Sequence, residues 1–273
     1  MSYKRILTIQ DISCIGQCSM TVALPILSAC GHETVILPTA VLSTQTGVFE
    51  KPHIRDLTAD IPGICEHWRR EEMDFDFIYS GYLGSIREIG CVQQILDTML
   101  APGGKSIVDP AMADHGKFYS GFDEQYAAEM KKLCQRADVI IPNITEAAIM
   151  TGLPYREAYD EDYIRKLAEG MEAECVVLTG VSCGPEQTGI AVYQKGELSF
   201  YSHKRIPGRY HGTGDIFASA LVGALAGDRE FFQAARIAAD FTCRCIENTF
   251  KAPAHRYGVK FEPVLPELIR MLE

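Results

Sequence analysis

Gly212-Thr213-Gly214-Asp215 carries the sharpest chemical signal in the chain. Two glycines let a backbone approach an anion closely. The small, apolar run Ile216 to Ala226 reads as a helix whose first amides and dipole would face that anion. Asp215 falls in the first turn of this helix, where a carboxylate can be merely an N-terminal cap. It could equally accept a proton from an attacking hydroxyl while the glycine amides hold a transferring phosphoryl group. An anion cradle beside a base is what phosphoryl transfer needs.

Other polar residues gather where apolar runs end. The first run leads into Asp11 and Ser13, and the next such cluster is Ser80-Gly81-Tyr82. Asp109-Pro110 follows with Asp114 close behind, then Asn143 and Glu146, then Thr179-Gly180. Taken singly, an Asp or Asn after a strand is usually a turn former or helix cap. Several acids converging on one face would instead attract a metal or shift each other's pKa.

The elements that would position these residues alternate along the chain. Strands are expected at Arg5–Gln10, Thr34–Leu37, Phe75–Tyr79, Ser106–Asp109, Val139–Ile141 and Cys175–Thr179. Helices are expected at Gly16–Cys30, Ile54–Arg70, Ile86–Leu100, Asp123–Arg136 and near Asp160–Gly170. Strand–helix alternation of this kind signals a parallel sheet covered on both faces. Thr188–Tyr193 and Glu197–His203 alternate about Lys195-Gly196, which predicts an antiparallel edge hairpin. Two further helices, Thr213–Ala226 and Phe231–Glu247, follow. In parallel sheets ligands lie beyond the carboxyl ends of the strands, where the polar clusters fall.

The chain has 273 residues, is 47% hydrophobic and carries a formal net charge of −10. No linker-like stretch divides it, so a single α/β domain over residues 1–273 is expected. The absence of a basic run argues against nucleic acid. No apolar stretch is long enough for a membrane span, and the short run after Arg5 is no signal-peptide core. Ten cysteines without CxxC spacing suit free thiols in a reducing cytoplasm. Gly104-Lys105-Ser106 resembles a P-loop tail but has Met99 where the loop needs glycine, and it precedes a strand.

With these residues in view, GTGDIFASALVGAL resembles the anion-hole segment of the ribokinase-like superfamily. SGYLGS (80–85), VDPAMAD (108–114), IPNITEAAIMTG (141–152), the opening ILTIQDISCIG and STQTG (43–47) narrow the resemblance to pyridoxal kinases. The resemblance implies a three-layer α/β sandwich and ATP-dependent phosphorylation of the 5′-hydroxymethyl group of a B6 vitamer. It implies Asp215 as base and Gly212, Thr213 and Gly214 as anion hole. Ser13, Thr46 and Tyr82, with Asp215, would contact the pyridine substrate. Asp109, Asp114, Asn143, Glu146 and Thr179 would serve ATP, with Asp109 and Glu146 near Mg²⁺. A monovalent cation and a homodimer are further expectations of the same kind.

The first loop, DISCIG, departs from the Ser-His-rich form of some pyridoxal kinases, and Cys183 stands where a lid thiol could. Thr39–Glu50 and Ala111–Phe122 are candidate covers, with glycine hinges at Gly47, Gly116 and Gly121. Two alternatives stay open: a hydroxymethylpyrimidine kinase of the same superfamily, and a non-catalytic pyridoxal phosphate carrier. The intact GTGD argues against the carrier, which needs no base beside an anion hole.

Overall fold

The computed structural model describes residues 3–184, 186–251 and 257–273. Its elements run β1 (Arg5–Ser13), α1 (Met20–Ala29), β2 (Glu33–Leu42), β3 (Ile54–Asp56), α2 (Ile61–Arg70), β4 (Phe75–Ser80), α3 (Ile86–Met99) and β5 (Leu100–Val108). There follow β6 (Ala113–Asp114), β7 (Lys117–Phe118), α4 (Glu124–Cys134), β8 (Val139–Ile140), α5 (Ile144–Thr151), α6 (Glu161–Gly170) and β9 (Cys175–Gly184). The chain ends with β10 (Gln187–Gln194), β11 (Glu197–Lys204), α7 (Thr213–Ala226), α8 (Phe231–Phe250) and α9 (Leu265–Leu272). They form two compact units, one of residues 1–104 and 206–273 and the other of residues 105–205.

In the first unit β1 pairs in parallel with β2 on one side and β4 on the other, and β3 adds an antiparallel edge to β2. Ile6, Leu7 and Ile9 of β1 have no exposed surface, as expected of a parallel strand covered on both faces. α7 is apolar on every side and buried from Ile216 to Ala226. It packs on α1, and a Cβ at Gly223 would lie inside contact distance of the Cys30 side chain, so the glycine sets how closely the helices approach.

In the second unit β5, β8 and β9 run parallel, then β10 and β11 complete an antiparallel edge. The hairpin expected about Lys195-Gly196 is β10–β11, in register from Gln187↔Lys204 to Gln194↔Glu197. The fold is thus mixed α/β with parallel strands at its heart. No helix among the described residues is long and apolar enough to cross a membrane.

Several expected boundaries move for identifiable reasons. Gly16 has φ +144° and Ser19 φ +50°, so residues 14–19 form a loop and α1 begins only at Met20. Ile54–Asp56 is an edge strand rather than the start of a helix, and α2 begins at Ile61 with a proline in its first turn, where no helical N–H is lost. β2 continues to Leu42, so only the later part of the Thr39–Glu50 segment is loop. The Ala111–Phe122 segment folds into the β6–β7 hairpin rather than an open loop. α5, which the residue pattern did not resolve from the loop after Ile141, is a short helix built on a capping box. α9 gives structure to a tail without motifs.

Candidate active site

In the first unit the polar end of β1 meets the start of α7. Gly212 caps α7 with φ +79°, and a Cβ there would lie 1.9 Å from the Gln17 carbonyl oxygen, so only glycine fits. Gly214, by contrast, has open space where a Cβ would be. The Thr213 hydroxyl donates to the Tyr210 carbonyl at 3.4 Å.

Asp215 keeps some exposed surface, but its carboxyl group is surrounded by protein. Burial pushes its pKa up to about 7, with the Asp11 charge adding and the Ser19 amide opposing. Asp11 is itself buried, and its carboxyl is raised by the same cause, although the Ser19 and Ser13 hydroxyls partly offset this. Ser13 Oγ donates to Asp11 Oδ2 at 3.1 Å. Cys18 shares the site: burial, then Asp215, then Asp11 hold its thiol up at about 12, so it stays protonated and unreactive. Tyr82 is half-buried, and burial with Asp11 and Glu88 raises its hydroxyl to about 12. A Cβ at Gly81 beside it would lie 2.4 Å from Gln10 Oε1, so a side chain there would have to displace the end of Gln10.

Thr46 lies exposed in the turn after β2. The structure around that turn is held by Gln45, which is buried. Its amide N–H donates to Ile15 O, its Nε2 donates to Tyr257 O, and its Oε1 accepts from Gly47 N–H. Asp11, Cys18, Ser19 and Gln45 are therefore members of the site that residue type alone did not assign. Asp11 was visible as a strand-end acid. Gln45 lies inside the STQTG segment, which assigned a role only to Thr46, and Cys18 and Ser19 have no sequence signal, since their place depends on loops meeting from distant parts of the chain.

In the second unit the acidic and amide residues gather about α5. Asn143 Oδ1 accepts from Glu146 N–H at 3.0 Å, and Glu146 Oε2 accepts from Asn143 N–H at 2.8 Å, a complete capping box. Glu146 Oε1 accepts from the amides of Met112 at 2.9 Å and Ala113 at 3.4 Å. Asn143 Nδ2 donates to Ala113 O at 2.7 Å, and Thr145 Oγ1 accepts from Gly116 N–H at 3.0 Å. Three side chains of one helical turn therefore fasten the β6–β7 hairpin. Burial raises the Glu146 carboxyl to about 7 against the pull of its three amide donors, and Asp114 adds to the rise.

Asp109 is buried just past β5, its Oδ1 accepting from Ala111 N–H at 3.2 Å. It and Glu146 both act on the buried Cys134 thiol, whose pKa burial raises. Asp114 is exposed on β6 and pairs with His115 at 3.5 Å when that ring is protonated. Thr179 N–H donates to Pro142 O at 3.0 Å, and its strand bridges Asn143. Gly180 follows with φ +68°, at a bulge between β9 and β10. Cys183 lies in β9, but its side chain is outside the described residues.

The phosphomethylpyrimidine kinase family model matches residues 27–260. The chain belongs to this family. Its members transfer phosphoryl groups, and the chain is a kinase of the ribokinase-like superfamily, of the group that includes pyridoxal kinases. It is similar to a pyridoxal kinase from Lactobacillus plantarum, at 32% identity and TM-score 0.91 over 99% of this chain and 98% of that one. A Bacteroides thetaiotaomicron protein described as a candidate phosphomethylpyrimidine kinase, crystallised with pyridoxal, is 34% identical with TM-score 0.91, over 98% and 96% of the two chains. A Bacillus subtilis hydroxymethylpyrimidine/phosphomethylpyrimidine kinase is 31% identical over 146 residues, 52% of this chain and 54% of its own.

Proposed function

We propose that this chain transfers the γ-phosphoryl group of ATP to the 5′-hydroxymethyl group of a B6 vitamer, acting as one kinase domain over its whole length. The observation that carries the reading is Asp215: a buried carboxylate with its pKa raised to about 7, one residue beyond Gly212-Thr213-Gly214 at the start of α7. A primary alcohol is a poor nucleophile, and its proton must leave as the bond to phosphorus forms. A carboxylate of raised pKa accepts that proton more readily than an ordinary one and is still largely ionised just above neutrality. The amides at the start of α7 stabilise charge on the phosphoryl oxygens. Ser13, Thr46 and Tyr82 then contact the ring.

On the nucleotide side Asn143, Asp114 and Thr179 would meet ATP. Among the described residues no group of three or more His, Cys, Asp or Glu is arranged to hold a metal by itself. The donors suit Mg²⁺, which binds through one or two carboxylates, substrate phosphates and retained water. Asp109 would hold it, and Glu146 would act through water because both its oxygens already accept backbone N–H groups. The ion would neutralise charge on the phosphates. The nine cysteines whose side chains are described are free, in keeping with a cytoplasmic setting, and a homodimer is the assembly we expect; light scattering of the purified protein tests the latter.

A second reading, phosphorylation of hydroxymethylpyrimidine, is favoured by the family match and the Bacillus subtilis relative. Steady-state turnover with ATP across pyridoxal, pyridoxine, pyridoxamine and hydroxymethylpyrimidine separates the two. We expect turnover of at least one B6 vitamer. Turnover of hydroxymethylpyrimidine alone would move the assignment to the second reading, and absence of turnover with any of the four would reject both.

A further inference from the structure

Ser85 and Glu88 have the spacing of a capping box, but only half of one is made. Ser85 Oγ accepts from Glu88 N–H at 3.3 Å, as an N-cap should. The Glu88 carboxylate does not return to the cap. Its Oε2 accepts from Gly84 N–H at 2.7 Å, and its Oε1 accepts from Thr58 Oγ at 3.1 Å. The Thr39 hydroxyl also hydrogen-bonds it. Glu88, Thr58 and Thr39 are all buried. A carboxylate kept in such a place needs its partners, because an unpaired buried charge is costly.

The partners belong to the two segments that carry Thr46 and Tyr82. β2 and β3 form an antiparallel hairpin, pairing Ala40 with Asp56 and Leu42 with Ile54. Thr46 lies in its connecting loop. Thr39 and Thr58 stand at its base, where Leu57 N–H also donates to Thr39 O at 2.9 Å. Gly84 is two residues beyond Tyr82. A Cβ at Gly84 would lie 3.4 Å from Glu88 Oε1 and 3.9 Å from the Tyr82 ring, so this glycine separates carboxylate from ring. One carboxylate thus joins the base of the Thr46 hairpin to the Tyr82 loop.

We infer that Glu88 is a positioning residue for the vitamer, setting the Tyr82 loop against the hairpin that carries Thr46. The inference rests on the reading that Thr46 and Tyr82 contact the ring. It assigns Glu88 no contact with substrate and no part in phosphoryl transfer. Its effect should fall on vitamer affinity, with the nucleotide step little changed.

The test is equilibrium titration of the full chain with pyridoxal, read by the absorbance of the bound ring, beside KM for ATP and thermal unfolding. The variants are Glu88→Gln, Thr58→Val and Ser85→Ala. Glu88→Gln should weaken pyridoxal binding about tenfold and Thr58→Val by roughly three- to tenfold, only part of what hydrogen bonds to a charged group are worth, because Glu88 acts on the ring through the Tyr82 loop and the Thr46 hairpin. KM for ATP should stay within about twofold of the original protein. Ser85→Ala removes the cap but none of the carboxylate's contacts, so it should lower thermal stability while leaving pyridoxal affinity unchanged. Equal weakening in Ser85→Ala would mean that stability alone is being read, and unchanged affinity in the folded Thr58 variant would also overturn the inference. Should Glu88→Gln not fold, the Thr58 and Ser85 pair decides. Failure of the unaltered protein to bind pyridoxal would instead reject the vitamer reading itself.

Discussion

Asp215 and Glu146 are both buried carboxylates raised to about 7, yet their surroundings differ in kind. Glu146 accepts from three backbone amides, two from the Met112-Ala113 segment and one from its own helix cap. Asp215 has the Ser19 amide, its own amide and a second carboxylate, Asp11, that adds to the rise. A carboxylate whose lone pairs are occupied by the backbone holds structure together. In the proposed mechanism one that is buried with fewer donors, at the start of a helix beside Gly212 and Gly214, takes a proton. On this reading the same direction of shift serves two roles, which the number of backbone donors distinguishes.

The largest effect that can break this contrast is expected at Asp215. Asp215→Asn removes the base and should lower kcat roughly 10²- to 10⁴-fold with ATP binding retained. Because the folded-state pKa of Asp215 is raised, ionisation opposes folding: its contribution to stability falls as pH rises from the ordinary carboxylate range through about 7. The Asn variant should therefore be as stable as the original protein at pH 8, or more so, by thermal unfolding. In the unaltered enzyme kcat should drop as pH falls below about 7, approaching tenfold per unit. Near-normal turnover in the Asn variant would end the proposed mechanism.

The two cradle glycines provide the next test. Gly212→Ala forces a side chain against the Gln17 carbonyl at a positive φ and should cost about 1–3 kcal/mol in backbone strain alone, measured by denaturant unfolding. Gly214→Ala meets nothing in the protein and should leave stability unchanged or slightly higher, since alanine favours a helix. If the Gly214 amide is closely approached by a phosphoryl group, kcat must nevertheless fall. Unchanged kinetics would remove Gly214 from the anion hole.

Glu146→Gln sharpens the other side of the contrast. A carboxamide can accept at one end only, so the amides of Asn143 and the Met112-Ala113 segment cannot all be satisfied. The loss should be about 1–3 kcal/mol of stability, with increased hydrogen exchange in the β6–β7 hairpin. The Mg²⁺ concentration needed at fixed ATP should also rise. A changed metal requirement without any loosening of the hairpin would make Glu146 chiefly a metal-site residue. The smallest effect is expected at exposed Asp114: Asp114→Asn should shift stability by less than about 0.5 kcal/mol. Any consequence there should appear in KM for ATP.

The β6–β7 hairpin also alters the expectation for a moving cover. Glycines at 116 and 121 had marked Ala111–Phe122 as a loop with hinges. Both glycines do take positive φ, as hinge or turn residues would. The segment is nevertheless tied to α5 by Asn143 and Glu146 at Ala113 and by Thr145 at the Gly116 turn. Local composition speaks for freedom, whereas the hydrogen bonds restrain it, and composition cannot register partners some 30 residues away.

What residue order determined by itself was the alternation of elements and the motif at 212–215. Both are local: periodicity reports which faces are buried, and a glycine at positive φ beside a helix start leaves a signature over four residues. The edge hairpin about Lys195-Gly196 was legible for the same reason. Tertiary structure alone decided which donors and charges surround each acid. Cys18 and Ser19 reach Asp215 only because the 14–19 loop folds onto the start of α7, nearly 200 residues away, and Asp11 only because β1 ends beside it. Likewise Ser85 and Glu88 have the capping-box spacing that Asn143 and Glu146 share, but one carboxylate closes its box and the other turns to Gly84 and Thr58. A carboxylate's role is set by desolvation and by the donors around it, and both depend on parts of the chain that meet only in the folded protein.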